Sequence, residues 1–357
     1  MTQNNKKNKY CYFGIYEPTE MARNQILSQG LEENGMKMIK CVDSSKSFLK
    51  FFNLVKKHWK IRKDYDFMIV GYLSNIVVPL ARLISRKKVI FNALNAMYEG
   101  EILDRERYKK FSIGAIYIWL RDFVAFHSAN LILVESESQK KFLSKMFLIR
   151  NSKMKVLLTG ANDKVFYPSE GIKKNDSFSV VFRGWFLPAT GVEYVIEAAR
   201  ILKKDGIKFL IIGRGMLREK IEDMIKKYNL DNIELITEFL PDDVLRKKML
   251  SCNIILGQFA NHSRMHRTIQ NKTFEAFALR MPYITMDSTS NRELLTDRED
   301  CLFVNPADSE DLARKILELK ENSKLQEKIA ENGYRLYKEK LNPKAIGIKF
   351  LDILKHN

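Results

Sequence analysis

The chain has 357 residues, 45% of them hydrophobic, and a formal net charge of +18. That length exceeds what one core serves, so two domains are expected, and no run approaches the ~20 apolar residues of a membrane span. Cys11, Cys41, Cys252 and Cys301 stand far apart, mostly in apolar runs, which argues against a disulfide framework or a cysteine metal site and for reduced core residues.

The opening MTQNNKKNKY lacks the apolar region of a signal peptide, so a cytoplasmic location is expected. Strand-like runs then follow in order. They read YCYFGIY, KMIKCV, DFMIVGY, KKVIFNA, NLILVES and MKVLL in the first half. In the second half they read FSVVFRG, KFLIIG, NIELIT, NIILGQF, PYITM and CLFV. Amphipathic helices lie between them, for example over 20–34 and 113–129. Alternation of this kind predicts an α/β chain with mostly parallel sheets, each with helices on both faces, formed twice. The polar stretch SEGIKKNDS (169–177) reads as the linker. The expected domains are therefore 1–170 and 171–340, with a last helix in 341–357.

The charge is uneven. Residues 1–170 hold 29 Lys and Arg against 16 Asp and Glu, a surplus of 13. Such a surplus suits anionic lipid, nucleic acid or an acidic substrate, or reflects a lysine-rich composition with no partner. SKSFLKFFNLVKKHWKIRK (45–63) mixes Phe48, Phe51, Phe52, Val55 and Trp59 with seven Lys and Arg. It reads either as a core-packed helix with its lysines in water or as a helix lying on an anionic membrane. No aromatic–basic nucleic-acid motif is present, so nucleic acid is not an expected partner.

In open α/β sheets ligands bind outside the carboxyl ends of the strands. Gly14, Gly184, Gly191, Gly213 and Gly215 all follow or end strands. The stretch from Ile255 to Glu293 reads as strand, basic loop, helix from NKTFEAFA, and strand. It places Arg267, Asn271, Lys272 and Glu275 at or near a helix entrance, where free N–H groups and partial positive charge suit a phosphate. The plain alternative is a strand–loop–helix with a solvated basic rim. In the first half, Gly14 ends the first strand, Arg23 and Asn24 open the first helix region, and Tyr98, Glu99, Asp104 and Arg105 lie in a polar loop after a core strand, placed to meet a second, polar ligand. Asp242 and Asp243, after Leu240-Pro241, read as a helix N-cap and a first-turn acid. His262 and His266 are four apart without a third ligand, so no metal is expected.

The order of these segments resembles retaining glycosyltransferases of family 4, which have the GT-B fold. The segment 255–293 is similar to their donor-binding segment. VVFRGWFLPATGVEYVIEAARIL (180–202), FLIIGRGMLREKI (209–221) and RELLTDREDCLFVNPADSEDLARKILEL (292–319) are similar to neighbouring parts of the same domain. YFGIYEPTEMARNQILSQGLEENG (12–35) and LTGANDKVFYP (158–168) fit the N-terminal half. The resemblance implies two Rossmann-like domains facing across a cleft, with the last helix packing back on the first. It implies a UDP- or GDP-sugar as co-substrate and no cofactor. The implied acceptor is a glycan or lipid-linked molecule, in bacterial cell-envelope polysaccharide or glycolipid synthesis, at the inner face of the cytoplasmic membrane. Donor contacts would come from Arg183, Gly184, Gly191, Gly213, Gly215, Arg267, Asn271 and Lys272, with Glu275 on the ribose; Arg267 and Lys272 are the catalytic candidates. Four positions depart from the pattern. Trp185 and Thr190 stand where the family often has Arg and Lys; Arg267 replaces the first Glu of the Glu-x7-Glu pair; Arg280 replaces a turn glycine. A nucleotide-sugar epimerase and a non-catalytic glycosyltransferase-like subunit are the rival readings.

Overall fold

The structure, a computed structural model, describes residues 8–356. The reading of the polar N-terminus falls mostly outside them. Among them, residues 8–160 and 342–356 belong to one compact unit, and Ala161–Leu341 form the other.

The first unit holds a six-stranded sheet: β1 (Lys9–Gly14), β2 (Lys37–Val42), β3 (Phe67–Val70), β4 (Lys88–Leu94), β5 (Leu131–Val134) and β6 (Met154–Val156). Its order is β2-β1-β3-β4-β5-β6, and every pairing is parallel. β3 and β5 are buried at every residue, which explains their uninterrupted apolar reading. Along β1 the side chains divide between two cores. Cys11 and Phe13 join Phe91 and Phe126 on one face, while Tyr10 and Tyr12 join Ile26, Leu27 and Phe350 on the other. The C-terminal helix Pro343–Lys355 packs against Ala22–Glu33 in this second core. Their backbones nearly touch: a Cβ on Gly30 would lie 2.0 Å from the Pro343 carbonyl oxygen, and one on Gly347 would lie 2.2 Å from the Gly30 carbonyl oxygen. Only glycine permits that approach.

The second unit repeats the plan with β7 (Ser179–Arg183), β8 (Lys208–Ile212), β9 (Ile233–Ile236), β10 (Ile254–Leu256), β11 (Tyr283–Met286) and β12 (Leu302–Val304). The order is β12-β11-β10-β7-β8-β9, again all parallel. Strand order reverses where β10 joins β7, the kind of switch point at which such sheets bind ligands.

Four expectations need correction. The division falls after Gly160 rather than 170, because 169–177 is tied to the second unit. Arg246 donates to Ser169 Oγ, the Asn175 N–H donates to the Ser251 carbonyl, and Lys174 donates to the Leu250 and Cys252 carbonyls. The last segment begins at Asn342, not 341. Asp242 is no N-cap: the helix Asp242–Ser251 is preceded by Pro241, both acids lie in its first turn, and Asp243 pairs with Arg246 and Lys247. The helix read over 113–129 spans Ile113–Ser128 and is apolar on its outward side as well as its inward one.

Candidate donor site and acceptor-side cluster

At the carboxyl edge of the second sheet, β7 ends in Arg183 and Gly184, and β10 ends just before Gly257. The helix Asn271–Ala278 starts beside them, with Asn271 exposed and Lys272 and Glu275 turned inward. Gln270 precedes it without a side-chain cap, so the first amides keep capacity for an anion. Arg183, Lys272 and Glu275 come together. One Nη of Arg183 lies 2.6 and 2.7 Å from the two Glu275 oxygens. Lys272 Nζ donates to the Gly257 carbonyl at 3.1 Å and lies 4.0 Å from the centre of the Phe182 ring. It also lies 3.1 Å from where a Cβ on Gly184 would be.

With Lys272 protonated, two cations and one carboxylate leave the cluster one positive charge in excess. Burial dominates its electrostatics. It lowers the Lys272 pKa to about 7, against the pull of Glu275 and with the push of Arg183. The Glu275 carboxylate holds the Arg183 guanidinium above its ordinary value. An anion brought to Nζ would restore the full charge of Lys272.

The glycine turns lie where the sequence placed them. Gly213 must be glycine, because a Cβ there would sit 1.9 Å from the Gly184 carbonyl oxygen. Gly191 opens the helix Val192–Ile201 in the left-handed region. Gly215 lies in the turn before the helix Arg218–Lys227. Arg267 is half-buried in the loop before Asn271, where its N–H donates to the Arg264 carbonyl. Trp185, Thr190 and Arg280 each find a local structural role. Trp185 is exposed with the Arg214 guanidinium 5.4 Å over its ring. Thr190 is buried and bonds within its own turn, to the Leu187 carbonyl and N–H. Arg280 takes the left-handed conformation of a turn glycine, φ 55°. Gly257 and Phe182 were not singled out by sequence, although both lie in quoted runs. His266 Nε2 bonds to Asn261 Oδ1 at 3.0 Å.

The first sheet's edge is a buried polar cluster. Arg23 Nε donates to Asn92 Oδ1, and one Nη donates to Glu135 Oε2 at 2.8 Å, Thr159 Oγ1 and the Leu157 carbonyl. Burial pushes the Arg23 pKa down and the Glu135 pKa up. Asn24 Oδ1 accepts from the Tyr72 N–H and from Asn92 Nδ2. Arg23 and Asn24 thus join the ends of four strands internally, a positioning role in place of the expected outward one. A Cβ on Gly14 would meet Ser74 Oγ at 3.0 Å. Tyr98 is half-buried with its N–H on Asp122, and Glu99 is buried against Gln139. Asp104 is buried, and Arg105 is exposed and paired with Glu101.

The fold has solved counterparts. Anabaena HepE, solved in complex with UDP-glucose, superposes with a TM-score of 0.73 over 98% of this chain and 100% of its own, at 14% identity. The architecture is therefore of the GT-B type. Residues 163–336, which include Arg183, Lys272 and Glu275, match the family model described as glycosyl transferases group 1. The chain is 30% identical over 184 residues to an uncharacterized glycosyltransferase of Methanocaldococcus jannaschii, covering 52% of this chain and 48% of that protein. It is 23% identical over 263 residues to the capsular polysaccharide biosynthesis glycosyltransferase CapM of Staphylococcus aureus, covering 70% and 67%. The matched part thus spans about half the length of the first relative and about two thirds of the second. Among the described residues no helix is long and apolar enough to cross a membrane.

Proposed function

We propose that the chain is a retaining glycosyltransferase of family 4 that moves a sugar from a UDP- or GDP-sugar to a glycan or lipid-linked acceptor. The observation that carries this reading is the Arg183–Glu275–Lys272 cluster at the switch point of the second sheet. In transfer, the bond between the anomeric carbon and the diphosphate breaks, a bond to the acceptor oxygen forms, and the acceptor hydroxyl loses its proton. Negative charge grows on the departing diphosphate. Lys272, Arg267 and the amides at Gly191 and the start of Asn271–Ala278 would stabilise that charge without a metal, whereas the Gly184 N–H is taken by the Ile212 carbonyl at 2.9 Å. Glu275 gives Arg183 two contacts and keeps acceptor capacity for the ribose hydroxyls. The names of CapM and HepE support a capsule- or envelope-type acceptor and a UDP-sugar donor. The acceptor is assigned to the first unit, through Tyr98, Asp104 and Arg105. The same unit would rest on the inner face of the cytoplasmic membrane through residues 45–63, whose helix Leu49–Ile61 leaves Phe52 and Trp59 exposed.

A non-catalytic subunit is the second reading, favoured by Trp185 and Thr190 at the positions of the basic pair. The experiment is a panel of nucleotide sugars incubated with the full chain and a lipid or glycan extract, scoring released nucleoside diphosphate. Release from one donor, dependent on Lys272, supports transfer. Donor binding without release supports the second reading, and absence of both overturns the two together.

A further inference from the structure

The helix Ile113–Ser128 is apolar on two sides. Its inward side holds Ala115, Ile118, Asp122, Ala125 and Phe126. Its outward side holds Ile113, Ile116, Tyr117, Leu120 and Val124, all exposed, Ile113 at 90%. The spacing of three, four, seven and eleven residues from Ile113 makes these one continuous stripe. A helix facing water normally shows charge there; one that is apolar all round belongs in a buried setting, and a large exposed apolar patch marks a contact site.

Cations border the stripe at one end. Lys109 and Lys110 precede the helix and are exposed; Arg105 and Arg107 before them are exposed as well and both pair with Glu101. The segment is held in place: a Cβ on Gly114 would lie 3.0 Å from the Tyr108 ring, and the Ser112 hydroxyl caps the helix by accepting from the Ala115 N–H. Between them Phe111 sits in the left-handed region, φ 67°, with its ring 87% exposed. A bulky residue adopts that conformation at a cost, and here it turns an aromatic ring outward. The neighbouring helix Val78–Ile84 packs against both Ile113–Ser128 and Leu49–Ile61, and it exposes Leu83.

We infer that the outward stripe of Ile113–Ser128 inserts into the headgroup–acyl boundary of an anionic bilayer, with Lys109, Lys110 and Phe111 at the headgroups. The inference rests on the membrane reading above and moves its apolar anchor from residues 45–63 to this helix. Charge selects the occupant. Residues 1–170 carry a surplus of 13 positive charges, which attracts anionic lipid and repels a second copy of the chain. Apolar side chains beside a basic, aromatic segment are the pattern of interfacial helices.

The test is sedimentation of the full chain with vesicles of phosphatidylcholine, with and without phosphatidylglycerol. The parent is expected to pellet only with phosphatidylglycerol. Ile116→Ser/Leu120→Ser should weaken that binding about tenfold or more, by removing two inserted side chains. Its melting temperature should not fall, since both residues are exposed. In Tyr117→Trp, tryptophan emission should shift to the blue with the anionic vesicles. Equal pelleting of parent and Ile116→Ser/Leu120→Ser overturns the inference, as does an unmoved Tyr117→Trp emission while that protein pellets. Loss confined to the variant with Lys50, Lys56, Lys57 and Lys60 changed to Gln also overturns it, yet leaves the membrane reading standing through 45–63. A parent that ignores vesicles and dimerises through the stripe overturns both.

Discussion

Replacing Lys272 by Met should uncouple nucleotide binding from pH. Met keeps the unbranched length over the Phe182 ring and removes the charge. Burial sets the parent Lys272 pKa at about 7, so above pH 7 a bound diphosphate must recruit a proton to Nζ. The dissociation constant for UDP or GDP, whichever the parent binds, should rise about tenfold per pH unit above pH 7. Losing the charge-assisted contact should cost about 1.5–3 kcal/mol at pH 6.5, or roughly 10- to 150-fold in affinity. Stability moves the other way. The unfolded lysine holds its proton up to about pH 10.4, while the folded one releases it near pH 7. The unfolded state therefore binds more protons between those values, and stability should rise across that window by at most about 1.4 kcal/mol per pH unit. Lys272→Met should lose this slope. Calorimetric titration of both proteins from pH 6 to 9 is the assay. A parent affinity that does not change with pH, or a Met variant that binds as tightly as the parent, would refute the reasoning.

Glu275→Gln keeps the shape but loses the Arg183 ion pair, so donor affinity should fall and discrimination against 2′-deoxynucleotides should shrink; competition titrations read both. Breaking the buried pair with Arg23→Met should cost about 3–5 kcal/mol in denaturant unfolding, since Glu135 is left charged and buried. Replacing both partners by apolar residues should recover most of that loss, and a double variant no more stable than the single one counts against the ion-pair account. Turnover should persist in chelator, because Lys272, Arg267 and backbone amides meet the diphosphate; an absolute need for magnesium or manganese would sink this description of the site.

The architecture was largely legible in the sequence. Strands of parallel sheets are buried on both faces, so FMIV and LILV stood out as unbroken apolar runs. Lys272 and Glu275 were marked in the sequence by a helix entrance after a strand, and Arg183 by its place before Gly184; the structure brings the three side chains together. What sequence could not carry was partnership. Arg23 looks like any polar residue opening a helix, and only the fold reveals that Asn92, Glu135 and Thr159 absorb it. The Gly257 carbonyl beneath Lys272 has no side chain to announce it. The linker was misplaced because SEGIKKNDS is polar and yet pinned through Ser169, Lys174 and Asn175. The stripe on Ile113–Ser128 was hidden because an outward apolar row and an inward one look alike until the sheet is in place.

The central claim is that the second unit's switch point holds a nucleoside diphosphate, and a crystal of the full chain soaked with UDP or GDP tests it most directly. The diphosphate is expected within hydrogen-bond reach of Lys272 Nζ and the first amides of Asn271–Ala278, with both ribose hydroxyls on Glu275. Nucleotide bound elsewhere, or this position empty at saturating nucleotide, would contradict it.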